Sequence, residues 1–251
     1  MSLILTQINK FGIVFVTDSN ITVGNAITEK GDKIFRIPNL NAALCLAGTY
    51  SVNGIRMDIW MKTYIGNDKS KTIKEFTQEL SKTLERSLNQ SEKKSGCIMH
   101  ICGFVQDKDG EHPEMWGISN VDLLADGNYS MKKRFEYGED FWNRDWAKNN
   151  LKAQFTTPGT YGYQYYINGF TSGRISFNAL TQYLNHFLIS IWNEKKYSFR
   201  PPLDIREYER LARFTMGFIA LMFNLSHYQP KLIGGKISSC CIEPKNKPWI
   251  S

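Results

Sequence analysis

The residues best suited to chemistry lie in the first fifty positions of the chain. Ser2 follows the initial methionine, Asp18 follows a short β-rich run, and Lys33 follows a turn. Gly48 ends an apolar run behind them. A free N-terminal serine carries a hydroxyl nucleophile and an amine that, with a pKa near ~8, can act as its general base. These residue types fit a hydrolytic site whose nucleophile is the start of the chain.

The elements that must position these residues are strands. Residues 2–9 alternate between two faces and residues 12–17 are β-rich, so the two runs predict a hairpin closed at 9–11. Further strands are predicted over 21–26, 33–37 and 42–47, with a turn over 29–32, and the continuous apolar run 42–47 is typical of a strand buried on both faces.

Helices and strands alternate in blocks along the rest of the chain. One helix is predicted over 51–64, with Ile55, Ile59 and Trp60 on one face, and a second over 72–88 behind a capping sequence at 72–75. The later predictions are strands over 97–104 and 113–118 joined by a turn at 106–110, a strand over 129–135, helices over 175–192 and 204–225, and a strand over 236–242.

This order predicts an α+β fold, in which two antiparallel sheets pack together between helix pairs as a four-layer αββα sandwich. Repeats and low-complexity linkers are absent from the sequence, so one domain over 1–251 is expected. The segment 136–170, rich in Trp, Tyr, Asn and Gly, is interpreted as an atypical aromatic insertion within it.

Composition excludes several classes of function. The net charge of +7 is spread among interleaved acidic residues, so a nucleic-acid partner is not expected. Apolar runs are too short for a membrane span and no signal-peptide pattern is present, which favours a soluble, cytoplasmic protein. The odd count of five cysteines indicates a reducing compartment, and the scattered histidines give no metal-ligand spacing, so neither metal nor cofactor is expected.

Three motifs in the first fifty residues resemble the proteasome β-subunit family of N-terminal nucleophile (Ntn) hydrolases, which includes HslV-like peptidases. Asp18-Ser19-Asn20-Ile21-Thr22 is similar to the family's Asp-Ser-x-x-Thr, and 33–37 is similar to its lysine-bearing strand. The run 43–48 matches the one that ends in its glycine turn, and Gly234-Gly235 precedes the last predicted strand. Counted back from Asp18, Ser2 falls where the family has its first mature residue.

The resemblance implies an amide-bond hydrolase of the N-terminal serine or threonine type, with Ser2 as nucleophile after removal of Met1. Asp18 would then hold Lys33 in place and keep it charged, and the charged lysine would lower the pKa of the Ser2 amine. The backbone N–H of Gly48 would stabilise the oxyanion.

Further residues and partners are implied in the same way. Thr22 would align an extended peptide, Leu46 would line a pocket for its side chain, and Ser172 or the neighbouring Thr171 would support the site. The substrate would be a peptide or protein. A ring-shaped or dimeric homo-oligomer is expected, and an ATPase is a possible partner.

The residues also fit less specific interpretations. Asp18 is a residue type that caps turns, and a lysine such as Lys33 is commonly a surface charge. The family's Asp-x-x-Ser pattern before the last strand has no counterpart in 227–233. A non-catalytic assembly or binding subunit of the same fold is therefore the alternative, and a nucleic-acid-associated factor, based on charge alone, is a weaker third hypothesis.

Overall fold

A computed structural model describes residues 3–23, 26–108, 110–123, 129–139, 163–169, 177–194, 200–225, 233–246 and 249. The first half contains β1 (Leu3–Asn9), β2 (Gly12–Asp18), β3 (Asn20–Val23), β4 (Ala26–Lys30), β5 (Ile34–Ile37), β6 (Ala42–Gly48), β7 (Ser51–Val52), β8 (Ile55–Arg56), α1 (Met57–Asn67), α2 (Ile73–Ser87) and α3 (Gln90–Lys94). The second half contains β9 (Cys97–Asp107), β10 (Gly110–Leu123), β11 (Tyr129–Glu139), β12 (Tyr163–Gly169), α4 (Phe177–Asn193), α5 (Ile205–Leu225) and β13 (Ile237–Ile242).

Two antiparallel sheets dominate this mixed α+β fold, which confirms the coarse prediction. One has four strands in the order β12-β1-β2-β13, and the other has five in the order β11-β10-β9-β6-β5. Two small hairpins, β3–β4 and β7–β8, stand beside them. Among the described residues, no helix is both long and apolar enough to cross a membrane.

Period-two alternation places the strand side chains in separate hydrophobic clusters. In β1, Leu3 and Leu5 pack against α5, whereas Ile4 and Ile8 face the five-stranded sheet. Strand β6 divides in the same way. Leu44 and Leu46 pack against α1 and α2, while the small side chains of Ala43, Cys45 and Ala47 face the four-stranded sheet.

Helix α2 matches its prediction closely. The Thr72 side chain accepts a hydrogen bond from the Glu75 amide at 3.1 Å, which caps the first turn. The Glu75 carboxylate bonds the Lys71 amide and so does not close the predicted box on Thr72 itself. The predicted apolar face is buried, with Ile73, Phe76, Leu80, Leu84 and Leu88 in the cluster under the sheet.

The prediction for α1 is wrong in its start and its buried face. Residues 51–56 form the β7–β8 hairpin, because Asn53 and Gly54 both take the positive φ of a tight turn, at 48° and 80°. The helix therefore begins at Met57. Its buried face carries Met57 and Met61, while Ile55 and Ile59 are exposed.

Two other predictions need correction. Glu29 and Lys30, predicted in a turn, lie in β4, which pairs with β3. In the segment interpreted as an insertion, residues 136–139 end β11, and Tyr163–Gly169 is β12, paired with β1 from Asn9 to Leu3. These parts belong to the two sheets, and residues 140–162 lie outside the described residues.

Candidate active site

The centre of the candidate site is a buried ion pair between Asp18 and Lys33. Asp18 is the last residue of β2, and Lys33 immediately precedes β5. Lys33 Nζ lies 3.1 Å from Asp18 Oδ1, and each side chain is 1% exposed. The contact that the resemblance implied between these two side chains is present, and the depth of their burial was not predicted.

Backbone groups from three parts of the chain complete the surroundings of the pair. Asp18 Oδ1 also accepts from the Leu3 amide at 2.9 Å, and Asp18 Oδ2 accepts from the Gly234 amide at 3.4 Å. Lys33 Nζ donates to the Asn20 carbonyl oxygen at 2.6 Å. The start of β1, the end of β2 and the loop before β13 thus meet at one carboxylate.

Both side chains of the pair are shielded from water, and this desolvation disfavours the charged form of Lys33. Burial lowers the pKa of Lys33, and the charge and hydrogen bond of Asp18 oppose that shift without cancelling it. A buried pair of this kind gives little net stability, because the cost of desolvation offsets the Coulomb attraction. A buried lysine with a lowered pKa next to a fixed carboxylate is also a common feature of functional sites.

Gly48 ends β6, the strand that pairs with β5 directly after Lys33. The Leu46 amide, two residues before Gly48, donates to the Lys33 carbonyl oxygen at 3.0 Å. Gly48 has a φ of 109°, and a Cβ atom there would lie 2.2 Å from the Gly96 carbonyl oxygen. A glycine is therefore required at the end of β6, whatever the role of its amide.

A cleft runs from Lys33 between the edge strands β5 and β13. Its volume is about 390 Å³. Arg36 crosses it and donates to the Cys241 carbonyl oxygen at 2.7 Å. Its lining combines charged, hydroxyl and thiol side chains, among them Asp32, Arg36, Arg206, Glu209, Ser239 and Cys240. Lys33 is among the lining residues, although its side chain is only 1% exposed.

The remaining predicted site residues fall into two groups. Thr22 lies in β3, where its backbone pairs with Ile27, and Leu46 is buried against α1 and α2. Their predicted roles in substrate binding stay predictions. Ser2, Ser172 and the alternative Thr171 lie outside the described residues, so their roles also stay predictions.

Three backbone contacts at the site were not predicted, and the first is that of the Gly234 amide with Asp18. The Ser19 hydroxyl accepts from the Lys236 amide at 2.9 Å, and the Asn20 carbonyl binds Lys33. Ser19 and Asn20 belong to the motif around Asp18, and Gly234-Gly235 had been noted before the last strand. The motif around Asp18 and the Gly234-Gly235 pair lie more than two hundred residues apart, so no local sequence pattern predicts that they are in contact.

Comparison of the sequence with protein-family models and with curated proteins finds no match.

Proposed function

We propose that this protein is an amide-bond hydrolase that uses the N-terminal serine Ser2 as its nucleophile once Met1 is removed. The observation that supports the proposal is that one carboxylate oxygen of Asp18 accepts hydrogen bonds from both the start of β1 and Lys33. The Leu3 amide and the Lys33 ammonium both donate to Asp18 Oδ1, at 2.9 and 3.1 Å. Ser2 is joined to that Leu3 nitrogen by a peptide bond, and this covalent link supports the assignment of Ser2 as the nucleophile.

The same proposal extends to the fold. Three hydrophobic clusters lie between successive layers. The first lies between the helices α1 and α2 and the five-stranded sheet, and the second lies between the two sheets. The third lies between the four-stranded sheet and α5. This packing supports the four-layer αββα arrangement of a proteasome-like Ntn hydrolase.

The proposed reaction begins with attack of Ser2 Oγ on the carbonyl carbon of the scissile amide, while the Ser2 amine accepts the hydroxyl proton. The Gly48 amide donates to the resulting oxyanion. The amine then gives its proton to the leaving nitrogen, the C–N bond breaks, and an ester remains on Ser2. Water, deprotonated by the same amine, hydrolyses that ester. Lys33, held by Asp18, stabilises the negative charge that develops near Ser2 Oγ.

Substitution of the nucleophile tests this proposal. The intact mass of the purified protein first shows whether Met1 has been removed. Ser2→Ala is then expected to reduce hydrolysis of peptide amides and activated esters by at least ~10³-fold, since the hydroxyl nucleophile is lost. Ser91→Ala, at an exposed serine of α3, is the matched control and should retain full activity. Equal turnover by the Ser2→Ala variant and the native protein would overturn the proposal.

The alternative is a non-catalytic assembly or binding subunit of the same fold. It is favoured by the residues 227–233, which contain no Asp-x-x-Ser pattern. This alternative predicts no turnover even when Met1 has been removed and the serine amine is free.

A further inference from the structure

A second cavity lies between the two sheets, away from the cleft at Lys33. Strands β9, β10 and β12 supply every described residue of its lining. Strand β12 is one edge of the four-stranded sheet, and β13, which borders the cleft, is the other edge. The volume of this cavity is about 260 Å³, and it shares no described lining residue with the cleft.

A glycine in the middle of β10 leaves this space open. Gly117 pairs with His100 of β9, and among the described atoms a Cβ at Gly117 would meet only the Met99 carbonyl oxygen, at 3.9 Å. The φ of Gly117 lies outside the left-handed region, so the backbone does not require glycine there. Gly103 of β9 differs, because a Cβ there would lie 2.4 Å from the Ala42 Cβ. A glycine inside a strand often marks a place where a ligand approaches closely.

A buried histidine fixes the polar wall of the cavity. His100 is 2% exposed. Its Nε2 accepts from Asn168 Nδ2 at 2.7 Å, so the neutral ring carries its proton on Nδ1 and donates to Thr6 Oγ1 at 3.0 Å. Burial lowers the pKa of His100 to about 3, and the ring is therefore uncharged at neutral pH. Since the amide nitrogen of Asn168 is engaged by the ring, its oxygen is the acceptor that can serve a ligand.

The rest of the lining is uncharged and mainly apolar. Ile98, Met115 and Val121 are among its apolar members, and none of the described lining residues is Asp, Glu, Lys or Arg. A charged ligand would lose its hydration there without gaining an opposite charge. Since an apolar cavity of about 150 Å³ accommodates benzene, the volume is sufficient for a substituted ring.

We propose that this space, the Gly117 cavity, binds an uncharged ligand with an apolar ring and one hydrogen-bond donor, as in a phenol. The ring occupies the space over Gly117, next to Met115, whose sulfur is a favourable neighbour for an aromatic ring. The hydroxyl donates to Asn168 Oδ1. This chemistry occurs both in free phenolic compounds and in the tyrosine side chain of a peptide. Binding of either kind goes beyond the proposed hydrolysis and does not depend on it.

The test is binding of p-cresol to the full-length protein, measured by saturation-transfer NMR. The native protein is expected to bind it with a Kd of about 1 mM or below, as an efficient ligand of this size can. Gly117→Leu fills the space and should weaken binding by roughly tenfold or more. Gly66→Leu is the matched control, because a Cβ at Gly66 of α1 also meets no described atom within 4 Å and Gly66 lies outside the cavity. It should bind p-cresol as the native protein does.

A smaller substitution and a second probe keep the test independent of the Leu variant. Gly117→Ala should weaken binding less than Gly117→Leu, and 4-methylanisole, which lacks the hydroxyl donor, should bind the native protein about fivefold more weakly than p-cresol. Circular dichroism and thermal midpoints verify that each variant is folded. Absence of saturable binding by the native protein would overturn the proposal. Full binding by the folded Gly117→Leu and Gly117→Ala variants, or equal weakening by Gly66→Leu, would also overturn it.

Turnover distinguishes the two sources of the ligand. Competitive inhibition of peptide hydrolysis by p-cresol, lost in Gly117→Leu, would assign the cavity to a tyrosine side chain of the substrate. Binding of p-cresol without an effect on turnover would assign it to a free phenolic compound. Binding is measured without turnover, so failure of the cavity proposal and failure of the hydrolase proposal are distinguishable.

Discussion

Two buried carboxylates, Glu92 and Asp18, show how a structural acid differs from one in the candidate site. Glu92 of α3 accepts from the Ser51 hydroxyl at 2.6 Å and from the amides of Asn53, Gly54 and Asn89 at 2.8 to 3.1 Å. Asp18 accepts from two backbone amides and from the ammonium of Lys33. Both carboxylates fix loops that are distant in sequence.

The difference is the buried amine. Backbone amides and a hydroxyl satisfy Glu92, and no second charge needs to be desolvated. Asp18 already has amide donors, so positioning the chain start does not require a lysine, and burial of Lys33 adds a cost that the fold alone does not explain. The comparison supports the proposal that Lys33 takes part in the reaction, whereas the contacts of Glu92 are those of a structural residue.

The largest expected effect is on activity when Lys33 is replaced. Lys33→Met removes the cation next to the proposed nucleophile and should lower turnover by at least ~10³-fold. It also leaves the Asp18 charge buried without its cation, so the free energy of unfolding should fall by about 3–5 kcal/mol. Steady-state kinetics and urea unfolding measure the two quantities on the same protein.

A double variant separates the two losses. Asp18→Asn with Lys33→Met removes both charges, so much of the stability should return while activity does not. If the Lys33→Met variant retained more than a tenth of native turnover, Lys33 would belong with Glu92 as a structural residue.

The next effect is on stability when Glu92 is replaced. Glu92→Ala leaves a hydroxyl and three amides of the 51–54 turn and the α3 start without their acceptor, and the free energy of unfolding should fall by ~2–4 kcal/mol. Turnover per folded molecule should stay within twofold of native. A tenfold loss of turnover in fully folded Glu92→Ala would remove the distinction between the two sites.

The smallest effect is the pH dependence of the free energy of unfolding. Glu92 should contribute to it at acid pH and Lys33 at alkaline pH. Burial raises the pKa of Glu92, but hydrogen bonds from Ser51 and the amides outweigh it and place the pKa below the ordinary 4.5. Its contribution should therefore be lost as pH falls below 4.5. For Lys33, whose pKa is lowered from 10.5, the unfolded chain binds more protons between the two pKa values. Stability there should rise with pH.

Subtraction isolates these contributions. The unfolding free energy of Glu92→Gln minus that of the native protein should change with pH only on the acid side. The corresponding difference for Lys33→Met should change on the alkaline side, between the lowered pKa of Lys33 and 10.5. A Lys33→Met difference that is constant from pH 7 to 10.5 would mean that burial does not lower the lysine pKa.

How much could be predicted from sequence depended on whether a local pattern of apolar residues marks the element. Strand β1 was predicted from its alternation, β2 from its β-rich composition, β6 from its continuous apolar run, and helix α2 from apolar residues that recur every three to four positions. Strand β12, with the sequence YQYYING, has no such alternation, and its place in the sheet comes from pairing with β1. Helix α3 is only five residues long and depends on Glu92 contacts with a turn about forty positions earlier.

The candidate site shows the same limit. Asp18, Lys33 and Gly48 were selected as candidates because their spacing resembles that of the proteasome β-subunit family and all three lie within fifty residues. The Gly234 amide on Asp18 and the Lys236 amide on Ser19 were not found, because these contacts close over more than two hundred residues. Contacts of that kind depend on the packing of β13 against β2, which local sequence does not specify.

The most direct measurement is the site of acylation. The native protein is mixed briefly with an activated ester, quenched in acid and digested, and the N-terminal peptide is analysed by mass spectrometry. The account predicts one acyl group on Ser2 of the chain lacking Met1, and none under the same conditions in the Lys33→Met variant. An N-terminal peptide that stays unmodified while the ester is hydrolysed, or Ser2 acylated equally well without Lys33, would contradict it.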